Sequence, residues 1–163
     1  MVYARISDMV ERFGEAELIG LSDRDDTGEI NDSVLTRALD DATSFIDGHV
    51  GRVYQLPLLG CAKPLTTPGG AVLYVAPPVL VRMACDLARY YLYTNVADEH
   101  EAVRRYKAAA KDLQAIAEGK TQLTCPWGGA PGNALHGDNL QAQEVFHSFK
   151  PRELNDDSLR GFA

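Results

Sequence analysis

This sequence of 163 residues predicts a mainly α fold, a compact bundle of four to five helices. Three observations carry that expectation. Apolar residues recur at intervals of three and four in several separate stretches, the signature of amphipathic helices. One proline- and glycine-rich stretch, about residues 52–76, interrupts them and predicts a projecting loop or small β-hairpin. After Lys120 the periodicity stops, which predicts an extended C-terminal arm. The expected division is a helical domain at 1–120 and an arm at 121–163.

The first helical stretch is "ISDMVERFGEAELIGLSD". Met9, Val10, Phe13, Leu18, Ile19 and Leu21 supply its apolar face. Ser7 or Asp8 is positioned to cap it, and Asp8 with Glu11 has capping-box spacing. Gly14 is expected to break it into two short pieces. In "NDSVLTRALDDATSFIDGHVG", Leu35, Ala38, Leu39, Ala42, Phe45 and Ile46 form the stripe. Asn31, Asp32 and Ser33 are good N-caps, and Gly48 and Gly51 read as stop signals.

The stretch "RVYQLPLLGCAKPLTTPGGAVLYVAPP" holds five of the eight prolines. Its apolar runs, Val53–Leu59 and Ala71–Val75, flank "TPGG", a hairpin turn candidate. Pro57 restricts the first run to an edge strand or extended loop.

"PPVLVRMACDLARYYLYTNV" is the most apolar helix and the expected centre of the core. Pro77 and Pro78 suit a helix start, where a missing N–H costs nothing. Leu80, Met83, Ala84, Leu87, Ala88, Tyr91 and Leu92 make its stripe. Arg82, Asp86 and Arg89 are expected off it, with Arg82 and Asp86 spaced to pair. "DEHEAVRRYKAAAKDLQAIAEGK" follows, with Asp98 and Glu101 at capping-box spacing and a seam of Val103, Tyr106, Ala110, Leu113 and Ala117. Gly119 is its expected end.

Beyond Lys120, Trp127 is the apolar anchor of a Gly-, Pro- and Asn-rich segment. The last stretch brings Phe146, Phe149, Leu154, Leu159 and Phe162. A mere linker needs no such aromatics, so the arm is expected to dock, on its own body or on a neighbour.

Composition and motifs restrict the chemistry. A net charge of −7 argues against a grip on nucleic acid through phosphate neutralisation. Cys61, Cys85 and Cys125 are odd in number and far apart. They match neither a disulfide framework nor a zinc pattern and suit a reducing cytoplasm, with Cys85 a core thiol. No signal-peptide pattern and no membrane span is read from the chain. His49, His100, His136 and His147 fall in no catalytic motif, and there is no G-x-S-x-G or P-loop. Tyr90, Tyr91 and Tyr93 read as the edge of a helical core rather than a stacking platform. No enzymatic activity and no cofactor is expected. An unfamiliar site around His136 and Asp138 is the enzymatic alternative.

"SDRDDTGEIND", residues 22–32, resembles an EF-hand loop when numbered from Asp23. Asp23, Asp25, Thr27 and Glu29 would then face a cation, with Gly28 at the sharp turn. Position twelve, where a bidentate Glu belongs, is Val34. A turn explains the same residues, since Asp and Gly form turns and Asn31 caps the next helix. A calcium-dependent binding module is therefore the alternative reading, and no metal site the preferred one.

Several stretches in order, "DMVERFGEAELIGLSDRDDTGEIND", "ALDDATSFIDGHVGRVYQLPL", "PPVLVRMACDLARYYLY", "AVRRYKAAAKDLQAIAEGK" and the ending "SLRGF", resemble a family of small proteins encoded in the head and neck region of Mu-like phages and prophages. Members look like head–tail connector, or adaptor, proteins. The resemblance implies a non-enzymatic virion protein, made in the host cytoplasm and resident in the neck. It implies a ring of copies, typically twelve, beneath the portal protein, meeting the next neck or tail protein. DNA would pass through such a ring without specific binding, and an acidic wall would repel its phosphates.

The residues matching the family pattern are Asp23, Gly28, Asp47, Tyr54, Leu56, Pro57, Leu58, Asp86, Arg89 and Tyr90. Among them Tyr54, Leu56 and Pro57, with Phe146, Phe149, Leu159 and Phe162 of the arm, are the interaction candidates. Residues 60–76 depart from the pattern, because many members pass quickly from "LPL" to the proline before the core helix.

Overall fold

The computed structural model describes residues 2–64 and 72–135. Among them are five helices and one two-stranded antiparallel sheet, so the fold is mainly α as expected. In order these are α1 (Ile6–Phe13), α2 (Glu15–Ser22), α3 (Asp32–Val50), β1 (Cys61–Lys63), β2 (Leu73–Val75), α4 (Pro78–Leu92) and α5 (Glu101–Ala117). The "TPGG" turn and the arm residues Phe146, Phe149, Leu159 and Phe162 lie outside the described residues, as do His136 and Asp138.

Gly14 separates α1 from α2 with φ +84°, a left-handed value that a side chain would strain. The start of α1 lies further upstream than Ser7 or Asp8. Asp8 instead reaches back as an acceptor for the Arg5 amide at 2.7 Å, so it is the third residue of the helix rather than its cap. Between α2 and α3, buried Ser22 donates to the Leu18 carbonyl and accepts from the Asn31 amide. Asn31 then caps α3 by accepting from the Val34 amide. Gly48 does not stop α3; it sits within the helix, and Gly51 is the cap. A Cβ on Gly51 would lie 2.8 Å from the Asp47 carbonyl and 2.9 Å from Leu56, so a side chain there has no room.

α4 is the centre of the bundle, packed between α3 and α5. Pro78 opens it, with Pro77 at the cap position. The expected stripe is buried, apart from Tyr91 at its margin. The burial extends further than the stripe: every residue from Met83 to Arg89 is enclosed, including Asp86 at 3% exposure and Arg89 at 8%. The expectation that these two lie off the core fails. Neighbouring helices receive their charges, because a buried charge is costly unless paired. Arg89 Nε donates to Glu17 of α2 at 2.6 Å, with its guanidinium 4.7 Å from the Phe13 ring centre. Asp86 faces Arg105 of α5 at 3.6 Å, too long for a good hydrogen bond. The expected Arg82–Asp86 pair does not form; Arg82 turns to Asp112 of α5 at 3.7 Å.

His100, not Asp98, caps α5, its Nδ1 accepting from the Ala102 amide. Asp98 pairs instead with Lys107, at the surface. The seam of α5 is Ala102, Val103, Ala109, Leu113 and Ile116 rather than one through Ala110 and Ala117. This alanine-rich helix leaves its rotational phase poorly marked in sequence. Tyr106 stacks on Tyr90 at 4.1 Å between ring centres and approaches Phe45 at 6.4 Å, so the tyrosines join α3, α4 and α5 at the core edge. Gly119, φ +71°, ends the helix as expected.

Leu87→Ala should destabilise the fold by about 2–5 kcal/mol through a cavity in the centre of α4. Arg89→Ala should cost about 2 kcal/mol from its charge-assisted bond to Glu17, whereas exposed Lys111→Ala should stay within about 0.5 kcal/mol. Urea unfolding monitored by circular dichroism ranks the three.

A candidate interaction surface

The stretch after α3 does not form the first strand of the hairpin. Strand β1 lies further on, at Cys61–Lys63, and pairs with β2 in the register Cys61 to Val75 and Lys63 to Leu73. Residues 53–60 are instead held by the segment after α5. The Gln55 amide donates to the Asn133 carbonyl at 2.8 Å, Leu135 to Val53 at 2.7 Å, and Gly60 to Pro131 at 2.9 Å. Tyr54 pairs with Ala134 as an antiparallel bridge, and its hydroxyl accepts from the Leu123 amide at 2.8 Å. Gly132 passes so close to Leu58 that a Cβ would lie 3.0 Å from its methyl. The part of the expected arm that the structure describes, 121–135, thus runs back along the body.

A disulfide between Cys61 and Cys125 fastens this clasp across 64 positions of sequence. It corrects the reading of three unpaired thiols. Sequence spacing carried no sign of it, because the two cysteines meet only once the loops around them are placed. Cys85 alone is free, buried in the core as expected, with burial pushing its thiol up to about 11. Trp127 is not the anchor of the segment: it is 42% exposed, while Leu123, Cys125 and Pro131 are buried.

Leu59 (64% exposed), Val72, Leu73, Tyr74 (59%), Trp127 and Leu135 are large exposed apolar side chains of the hairpin and clasp. The disulfide, the β1–β2 register and Lys63 Nζ, 5.9 Å from the Trp127 ring centre, bring the hairpin residues and Trp127 together. Seven of the eight large exposed apolar side chains among the described residues belong to the hairpin and clasp segments, counting Leu56; Val2 is the eighth. An open groove of about 760 Å³ lies alongside, lined by Arg52, Val53, Leu123, Gly129 and Ala134 among others.

Of the sequence-derived interaction candidates, Leu56 and Pro57 are exposed. Tyr54 is not available to a partner: it is 4% exposed and serves the clasp. Sequence reasoning missed the hairpin apolars as a surface. The signal was the run "VLYV", too apolar for a hairpin that covers nothing.

The residue 22–32 loop is organised by its own backbone. Asp23 accepts from the amides of Thr27 and Gly28 and from the Thr27 hydroxyl. The amide bonds from Thr27 and Gly28 hold its carboxyl below the usual range. Both carboxylate oxygens therefore serve a turn, with Gly28 at φ +76°. Asp25, Thr27 and Glu29 are exposed, and Val34 lies in the first turn of α3. Among the described residues no three His, Cys, Asp or Glu side chains gather as a metal site. No described helix is long and apolar enough to cross a membrane.

Comparison with known proteins places these features in a family. The family model described as Bacteriophage Mu, Gp36 matches residues 3–140, spanning all five helices and the clasp. Gene product J of Escherichia phage Mu is 29% identical over 122 residues, 74% of this chain and 75% of that protein. The Mu-like prophage FluMu protein gp36 of Haemophilus influenzae is 26% identical over 123 residues, 76% of each.

Reduction of the disulfide, or Cys125→Ser, should lower stability by up to about 4 kcal/mol, the loop-closure entropy for a separation of this size. Guanidinium unfolding with and without reductant measures it. Asp23 should titrate below about 3.9, the ordinary value for Asp, in a carboxyl NMR titration. Because its folded-state carboxyl is depressed, its contribution is present above that value and disappears as pH falls through its own lower midpoint. Asp23→Ala should lower the melting temperature equally with and without calcium; a calcium-dependent shift lost in this variant would establish the calcium reading instead.

Proposed function

Because the chain belongs to the bacteriophage Mu Gp36 family, we propose that it is a structural virion protein of a Mu-like phage or prophage, a head–tail connector (adaptor) subunit. In this reading copies assemble as a ring under the portal protein, twelve in the virion, line the DNA channel and meet the next neck or tail protein. Its place is the neck of the virion, after assembly in the host cytoplasm. Its work is assembly rather than catalysis.

The observation that carries the reading is the apolar end of the molecule. The helices enclose Leu80, Leu87 and Leu113 fully, and the clasp adds Tyr54, Leu58 and Leu123 to the same core. Leu59, Leu73, Tyr74 and Trp127 of the hairpin and clasp are large apolar side chains that this core does not use. So many exposed apolar side chains on one small unit of a folded domain mark a place where another surface belongs. A two-stranded hairpin is also marginal in water by itself, so it gains from being covered. The acidic balance, −7 over the chain, suits a channel wall that repels phosphates.

Light scattering coupled to size exclusion, run across a concentration series with and without the portal protein encoded alongside, tests the proposal. A discrete assembly is expected, formed alone or on addition of portal, and lost in Leu73→Ser/Tyr74→Ser. Failure to associate with itself, with portal or with the next neck protein at any concentration would sink it.

A further inference from the structure

We infer that Cys61 and Cys125 form a thiol–disulfide exchange site, closed in the already folded subunit by a small-molecule disulfide of the glutathione class that enters at Cys125. Closure fixes the foot of the β1–β2 hairpin to the turn at 125–129. The inference rests on the reading above only for the order of surroundings, a reducing host cytoplasm first and an oxidising medium after release.

The bond lies where the fold does not depend on it. Both cysteines are buried, yet neither belongs to the core that joins the helices to Tyr54, Leu58 and Leu123. Neither strand packs on a helix by more than a marginal contact. The two segments are already held side by side by backbone hydrogen bonds, from Gly60, next to Cys61, to Pro131, and from Gln55 to Asn133. Tyr54 holds Leu123, two residues before Cys125. The dithiol form therefore keeps its helices and clasp and brings the two sulfurs together before they are bonded. Groups held in this way react as one molecule rather than two. The stability that the bond adds acts through the unfolded chain, which it restricts.

The two sulfurs differ in access. Cys61 is fully enclosed at the foot of the hairpin, opposite Val75 and next to buried Gly60. Cys125 keeps 7% exposure and sits in a tight turn. Its amide donates to the Gly129 carbonyl and its carbonyl accepts from the Gly128 amide, each at 3.0 Å. Every other residue from Thr124 to Ala130 is exposed. A small disulfide thus reaches Cys125 by displacing a shallow turn, and reaches Cys61 only by disturbing the hairpin. Cys85 takes no part: it is enclosed in the core, where burial disfavours the thiolate that attack requires.

The chemistry is two successive exchanges. The Cys125 thiolate attacks one sulfur of the small disulfide and displaces the other as a thiolate, leaving a mixed disulfide on Cys125. The Cys61 thiolate then attacks Cys125 Sγ and displaces the second small thiolate. Two protein thiols are oxidised to one disulfide, one small disulfide is reduced to two thiols, and the two protons pass to the departing thiolates.

The test mixes wild-type chain, reduced and freed of reductant, with glutathione disulfide under native conditions, followed by mass spectrometry after acid quenching. The chain should pass from three thiols to one with its far-UV circular dichroism unchanged, and the transient glutathione adduct should map to Cys125. Cys61→Ser should accumulate that adduct at Cys125. Cys125→Ser should take it up at Cys61 at least about tenfold more slowly, because access governs the rate. An adduct that forms first at Cys61, or equal rates in the two variants, would overturn the inference. Loss of the helical signal in reduced wild type would overturn it too, since no folded dithiol subunit would exist to be closed, as would closure that proceeds only in denaturant. The wild-type adduct map decides the matter even where a serine variant does not fold. Mass with the portal protein present decides the assembly reading separately. Closure in a chain that never assembles would uphold the inference and remove that reading, and a chain that assembles without closing would do the reverse.

Discussion

The burial of α4 on all sides from Met83 to Arg89 is the constraint from which the rest of the structure follows. A helix with one apolar stripe can lie on a surface, but one enclosed from Met83 to Arg89 must have neighbours around it. α3 and α5 supply the two broad walls, and α1 closes part of the remainder. Two charged residues go into the interior with the helix, so the surrounding helices must carry their counter-charges. Glu17 on short α2 answers Arg89, and Arg105 on α5 answers Asp86. The break at Gly14 thereby gains a purpose. It lets α2 turn away from α1 and bring Glu17 to the last part of α4.

The clasp solves a different problem. Residues 53–60 hold Pro57 and apolar side chains but no helix to satisfy their backbone groups. The segment 121–135 supplies hydrogen bonds to them, through a short antiparallel bridge and the hydroxyl of Tyr54. The disulfide restricts how far the two can separate and ties β1 into the same unit. A rigid base of this kind is what an apolar hairpin requires if it is to present side chains in a fixed arrangement. Rigidity lowers the entropy cost of any association made there.

The family supplies the setting for this surface, a Mu-like phage or prophage. The molecule supplies the physical reason for reading it as a subunit of something larger. Its core is built by the helices with Tyr54, Leu58 and Leu123 of the clasp, and the hairpin adds exposed apolar side chains beyond it. The acidic loop at 22–32, by contrast, is self-contained. Its leading carboxylate is occupied by the amides of the turn it forms, as an Asp at the head of a Gly-containing turn commonly is.

The sequence by itself determined the helices, their breaks at Gly14 and Gly119, the Asn31 cap, the proline start of α4 and the central place of that helix. These rest on interactions within about four residues, which local pattern records directly. It marked 52–76 as a hairpin region but put the first strand several residues too early, because the apolar run "VYQLPLL" is held by a distant segment instead. Tertiary structure alone decided the pairings across long separations: Arg89 with Glu17 at 72 positions, Tyr54 with Leu123 at 69, Cys61 with Cys125 at 64. It also set the phase of α5 and decided that Trp127 faces outward while Asp86 faces in. No local rule contains these outcomes, because each depends on which surfaces the folded chain brings together and which charges must then be answered at a distance.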